Sequence, residues 1–195
     1  MDHAIARQPA SVKERILQAA YKLFSERGVS NVGIDAIVTE SGCAKSSLYN
    51  NFASKEELAL AFLRDREVAW THGWLEESIT ALASTPDARL LAIFDTFEGW
   101  FQRDDFEGCA FINVLLESGK GSAVRNAASG HLANIRVILK NLASEARLVN
   151  PEAFADIWHI LMKGSIVAAG EGNKDAAALG RRAGKLVLDG WARSW

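Results

Sequence analysis

Residues 42–58 read Gly42-Cys43-Ala44-Lys45-Ser46-Ser47-Leu48-Tyr49-Asn50-Asn51-Phe52-Ala53-Ser54-Lys55-Glu56-Glu57-Leu58. The way this stretch parses decides the fold. A tight turn containing Gly42 leads into a short helical segment over 45–51. Leu48 and Phe52 stand four apart, so they share one face and turn inward. Lys45, Ser46, Ser47, Tyr49, Asn50 and Asn51 are left outward: small, hydrogen-bonding side chains with a single charge. Ser54-Lys55-Glu56-Glu57 is a capping-box pattern, in which hydroxyl and carboxylate each satisfy an unpaired backbone N–H. It opens a long helix predicted to run to Ala83, before Pro86.

Upstream, a segment over 34–41 carries Ile34, Ile37 and Val38. Before it, Ser11-Val12-Lys13-Glu14 is a further capping box. Ile16, Leu17, Ala20, Leu23 and Phe24 then recur at three- and four-residue steps, and Gly28 is placed to end that helix in a left-handed conformation. Two short helices joined by a Gly-containing turn and buttressed by a preceding helix describe a helix-turn-helix. Such a unit lays its second helix in the major groove of DNA, with the inner face gripping the scaffold. The outward residues of 45–51 suit phosphates and base edges, and Asn50 or Asn51 has the amide geometry to pair with adenine.

Downstream, helices are predicted at roughly 87–103, 108–119, 122–147, 152–170 and 175–194. Prolines occur only at 9, 86 and 151, all at expected breaks, and strand-like alternation is missing. The expected architecture is all-α with about nine helices: a DNA-binding head over residues 1–54 and a larger helical domain over 55–195. On the long helix Leu58, Phe62, Trp70 and Trp74 form one row of four-residue steps, interrupted by Arg66.

Composition narrows the function classes. No apolar run approaches the roughly 18–20 residues needed to cross a bilayer, and residues 1–9 lack the apolar core of a secretory signal, so the expected location is cytoplasmic. Cys43 and Cys109 form no CxxC pair, and His3, His72, His131 and His159 are scattered, which suggests no metal site or cofactor. There is no nucleophile motif or paired catalytic carboxylates, and Gly119-Lys120-Gly121-Ser122 lacks P-loop spacing; an enzyme is not expected. Net charge is −2. Residues 1–66 hold nine Lys/Arg against eight Asp/Glu, and the remainder 13 against 16, which permits a local DNA-binding face without demanding one.

The stretch 42–58, together with Ile16-Leu17-Gln18-Ala19-Ala20-Tyr21-Lys22-Leu23-Phe24-Ser25-Glu26-Arg27-Gly28, resembles the TetR family of transcriptional regulators. The resemblance covers about 50 residues and implies roles for individual side chains. Lys45, Ser47 and Tyr49 would touch phosphates, with Ser46, Asn50 and Tyr49 near bases. Lys55, at the start of the long helix, would hold a further phosphate with help from the helix dipole. Three positions depart from the family pattern. Val32 and Gly33 stand where Thr-Thr is usual, and Ala44 replaces a capping Ser.

The resemblance also implies a small-molecule sensor and a homodimer. The residues have their own reading here: Trp70, Trp74, Phe94, Phe97, Trp100, Phe101, Phe106 and Phe111 crowd between 70 and 111, and Trp158 and Met162 lie on a later apolar stripe. Trp70, Trp74, Phe97, Trp100, Phe101, Phe111, Trp158 and Met162 are candidate pocket walls for an apolar or aromatic effector. Asn113, Glu117, His131 and His159 are candidate polar members. Gly108-Cys109 and the following Asn113 are similar to the start of the sixth helix in one branch of the family, where a cysteine can sense oxidants; Cys109 is a candidate redox sensor, against the alternative of a buried, inert thiol. Small residues in the last helix (Ala176, Ala177, Gly180, Ala183, Gly184) permit close helix approach, and the resemblance implies that the last two helices pair with their copies in a dimer that reads a palindromic double-stranded DNA operator. The rival expectation is a dimeric helical ligand-binding protein whose DNA head has decayed, with Val32, Gly33 and Ala44 in its favour.

Overall fold

A computed structural model describes residues 10–194. His3 lies outside them. Helix α1 (Val12–Arg27) starts on the expected capping box: Glu14 N–H donates to Ser11 Oγ at 3.2 Å, and Ser11 N–H to the Glu14 carboxylate at 2.7 Å. The bonds to Ser11 hold the Glu14 carboxyl below its usual pKa. At Gly28 φ is positive (77°), as anticipated, but ψ of 155° carries the chain away extended rather than left-handed helical. α2 (Ile34–Ser41) and α3 (Lys45–Asn51) have the bounds read from the sequence. Between them Gly42 adopts the left-handed conformation (φ 61°, ψ 24°) that any side chain would strain.

Ile16, Leu23, Phe24, Ile37, Leu48 and Phe52 are buried together with Val29 and Val32. α4 (Lys55–Arg66) begins with Glu57 N–H donating to Ser54 Oγ at 3.1 Å. The Glu57 carboxylate accepts from Ala53 N–H at 2.7 Å, one residue before the expected partner. The chain divides into two compact units, Met1–Phe62 and Leu63–Trp195. The first reaches past residue 54 because Leu58, Ala59 and Phe62 are fully buried, and the Phe62 ring sits edge-on to Tyr21 and Phe24 at 5.3 and 5.6 Å.

In the second unit the long helix changes its bonding. Glu67–Glu76 is π-helical before α5 (Glu77–Leu82) resumes. Bonding to i+5 slows the turn per residue, so side chains four apart stay nearly in register. Trp70 and Trp74 thus stand side by side, 5.2 Å between ring centroids. α6 (Pro86–Phe101), α7 (Ala110–Glu117), α8 (Ala123–Glu145), α9 (Pro151–Gly170) and α10 (Ala176–Gly190) follow. Taking the unbroken run 55–82 as one helix, the described residues form nine, with one isolated bridge, Leu148–Arg193. None of these helices is long and apolar enough to cross a membrane.

α6 is the centre of the second unit, packed against α5, α8 and α10. α10 comes close because it is small where it faces α6 and α9. A Cβ on Gly180 would stand 2.2 Å from Ser165 Oγ and 2.8 Å from the Phe94 ring; one on Gly184 would meet Trp158 at 2.9 Å. Gly180 and Gly184 therefore serve close packing within the chain. After α10 the chain straps back. Trp191 Nε1 donates to Val149 O at 2.6 Å, and Arg193 donates to Asp87 at 2.7 Å and to Ala146 O at 3.0 Å. Arg125 closes α7 from α8, donating to the carbonyls of Leu115 and Ser118.

Two glycine substitutions should move stability in opposite directions. Gly180→Ala is expected to destabilise by about 1–3 kcal/mol through overpacking against Phe94 and Ser165. Gly130→Ala, inside α8 with open space around it, should stabilise by roughly 0.4–1 kcal/mol. Thermal denaturation of the two variants checks both signs.

Candidate nucleic-acid interface and sensor core

α3 is gripped from behind. Leu48 is fully buried and Phe52 nearly so, and the Lys13 ammonium lies 5.7 Å from the Phe52 ring centroid. The outward residues differ in what they offer. Ser46, Tyr49 and Asn50 are exposed. Ser47 and Asn51 are half-buried, and Asn51 Nδ2 donates to Ser47 O at 2.8 Å, so that amide is partly spent inside its own helix. Lys45 Nζ lies 2.7 Å from Asp35 Oδ1, across the turn on α2, and this bond raises the lysine's pKa. Lys55 Nζ donates to Ser30 O at 3.4 Å.

The three departures from the expected pattern have distinct structural meanings. Val32 is a core residue of the head. Gly33 and Ala44 occupy the N-caps of α2 and α3 without any side-chain bond to the first turn. The N–H groups there remain open to solvent or to a ligand. Cys43 is buried in the turn, beside Ser41.

The candidate pocket residues fall into three groups in the second unit. Trp70, Trp74, Phe97, Trp100, Phe101 and Phe106 are linked ring to ring at 5.1–6.4 Å. Trp158 stacks on Phe154 at 5.1 Å and meets Phe94 at 5.6 Å, and Phe94 in turn touches Phe97 at 6.2 Å. Met162 is buried on the same helix as Trp158. Phe111 packs on His131 at 5.0 Å. His131 Nδ1 lies 2.5 Å from Glu67 Oε2, and Asn134 Nδ2 donates to Glu67 Oε1 at 2.6 Å. Glu67 and Asn134 were not among the sequence candidates; nothing in local spacing joins residues 64 to 67 positions apart. Asn113 is exposed and donates to Glu107 O at 2.9 Å, a loop closure beside Gly108. Glu117 is half-buried at the end of α7. The indole N–H groups of Trp70 and Trp158 and the hydroxyls of Thr71 and Thr96 are buried without a hydrogen-bond partner among the described residues. No group of three or more His, Cys, Asp or Glu among them is arranged to hold a metal.

A family model described as "Bacterial regulatory proteins, tetR family" matches residues 16–62, the span of α1 through the first two turns of α4. Over nearly the whole chain, the structure aligns with a TetR transcriptional regulator from Streptomyces avermitilis at TM-score 0.84 and 26% identity, covering 95% of this chain and 100% of that one. Residues 16–62 belong to the TetR family, and the whole chain shares the fold of its regulators. A TetR-family regulator from Streptomyces coelicolor shares the fold at TM-score 0.82, with 23% identity over 95% of this chain and 92% of its own. The HTH-type transcriptional repressor KstR2 of Mycolicibacterium smegmatis is 33% identical over 87 residues, 45% of this chain and 42% of that protein. An HTH-type regulator of Mycobacterium tuberculosis is 36% identical over 62 residues, 32% and 31% of the respective lengths. The matched stretches thus span less than half of these curated relatives. TetR-family proteins regulate transcription and are not enzymes, and the DNA-binding helix-turn-helix of the family is the unit built on α2 and α3.

Two buried groups make the chemistry of the second unit testable. Desolvation pushes the Cys109 thiol above its usual pKa, so the thiolate that a redox sensor needs is disfavoured. Both cysteines are expected to resist a thiol-exchange reagent in the native protein and to react once it is unfolded; rapid native labelling of Cys109 would contradict this. His159 is depressed to about 3, first by burial and then by Lys163 and Arg136. Its ring is neutral when folded and protonates more readily when unfolded, so stability is retained above about pH 6.5 and falls as pH drops toward 3. At pH 4.5 this residue should cost roughly 2–3 kcal/mol, and His159→Leu should flatten the pH dependence of urea midpoints between pH 7 and 4.5.

Proposed function

We propose that this TetR-family protein is a repressor that binds a palindromic operator as a homodimer and is released by an apolar or aromatic effector. One observation carries the DNA-binding half: a short helix whose exposed face is Lys45, Ser46, Tyr49 and Asn50 while Leu48 and Phe52 anchor it. In this reading Lys45, Ser47, Tyr49 and Lys55 meet phosphates, and Ser46 and Asn50 meet base edges. Asn51 contributes less, since its amide already serves Ser47 O. The repressor sign is supported by a likeness, 33% identical over 87 residues, to a named repressor.

The dimer reading rests on an unpartnered apolar face. Ile157, Ile160 and Val167 on α9 and Leu179 and Leu186 on α10 are exposed at steps of three and seven residues, which keep them on one helix face, while Gly180 and Gly184 of α10 point inward. The effector reading rests on the linked aromatic groups and on the buried indole and hydroxyl groups without partners. An apolar ligand offering one or two hydrogen-bond acceptors fits both features. Its binding biases the protein between a state that fits successive half-sites and one that does not, by no more than its preference between them. Such a regulator acts in the cytoplasm, where the chromosome is.

The test is a selection of duplexes from a random library, followed by binding assays with the wild-type protein, Tyr49→Ala and Leu186→Glu. Expected are a palindromic consensus, loss of at least tenfold in affinity for Tyr49→Ala, and a monomeric, weakly binding Leu186→Glu protein by analytical ultracentrifugation. No enrichment at low salt would favour a ligand-binding protein with a decayed head, the reading suggested by Gly33 and Ala44 lacking caps.

A further inference from the structure

We infer that Asp35 is an affinity-setting residue of the DNA interface, a built-in counter-ion that competes with a DNA phosphate for Lys45. This rests on the DNA-binding reading above. Asp35 sits in the first turn of α2 and Lys45 begins α3, so the turn at Gly42 brings the two elements' starting residues together. Lys45 Nζ and Asp35 Oδ1 are 2.7 Å apart, with side-chain exposures of 55% and 84%. A pair this exposed contributes little to folding, so its consequence lies at the surface that it occupies.

That surface has two features that attract anions. Lys45 is the one cation on the outward face of α3. The start of α2 is capped by Gly33 without a side-chain bond, which leaves first-turn N–H groups and the positive end of the helix dipole uncovered. Asp35 answers both at once with a single carboxylate. A phosphate oxygen approaching Lys45 has to take over the ammonium from Asp35, and the displaced carboxylate remains beside the phosphate as a like charge. The net gain from the Lys45–phosphate contact is smaller than for a free lysine. Since non-specific binding is almost wholly electrostatic, the carboxylate holds down occupancy of unrelated DNA, and base contacts from α3 have to supply the rest at the operator.

Asp35→Asn keeps the side chain's size and removes the charge; Asp35→Ser is a second variant that tolerates a first-turn position. With a duplex selected by the wild-type protein, either variant is expected to bind about fivefold more tightly at 0.1 M salt, the factor that one unit charge at contact distance is worth in water. The dependence of log K on log salt should steepen by up to about 0.9. In a Lys45→Ala background the gain should vanish. Thermal midpoints of the single variants should stay close to wild type. Unchanged or weaker binding would overturn the inference, the latter meaning that Asp35 positions Lys45 for DNA. A gain that persists without Lys45 would overturn it too, as a bulk-charge effect. If wild type and variants alike bind no duplex at low salt, the DNA-binding reading falls and takes this inference with it, an outcome distinct from the other two.

Discussion

A seven-residue helix has too few internal hydrogen bonds to outweigh the ordering of its backbone, and α3 lacks even a side-chain cap at Ala44. It exists because Leu48 and Phe52 are taken out of water where α3 packs on α1 and α2. The polar face of α3 therefore depends on apolar groups that never reach it. Val32 belongs to the same support: an aliphatic side chain where the family favours a hydroxyl, used for packing instead of a phosphate contact.

The second unit solves a different problem. Its rings are bulky, and Phe94, Phe97 and Trp158 are fully buried, so neighbouring helices can close only where they are small. Gly180 and Gly184 supply that clearance on α10. Polar groups are held at the margin of the rings: Glu67 shares its two oxygens between His131 and Asn134, and Arg125 covers the end of α7. The unpartnered Trp70, Thr71, Thr96 and Trp158 groups are the places where that accounting is left open.

Local chemistry explains which features were legible in the sequence. The bounds of α2 and α3 could be read because a glycine turn and a pair of apolar residues four apart are local signals. The capping box at Ser11 was equally plain. At Ser54 the box pattern was right, but the carboxylate reached Ala53, a matter of rotamer rather than residue type. The π-helical stretch over Glu67–Glu76 was not visible, since periodicity over ten residues hardly separates bonding to i+4 from bonding to i+5. Composition alone could not orient the glycines of α10, because small residues serve close approach on either side of a helix. Side-chain partnerships between distant elements, Glu67 with His131 and Lys45 with Asp35, depend on the folded arrangement. Of the candidate DNA-facing residues the exposed ones are Lys45, Ser46, Tyr49 and Asn50; of the candidate pocket residues, Asn113 stands apart in a loop closure.

The π-helical stretch leaves three indoles in mutual contact: Trp70, Trp74 and Trp100 have centroids 5.2–5.7 Å apart. Chromophores that close share their excited states, so absorbed light is pooled in one spot of the second unit. Half of the chain's six tryptophans thus act as a single optical probe of the second unit's interior. The protein carries its own spectroscopic label, and it needs no dye.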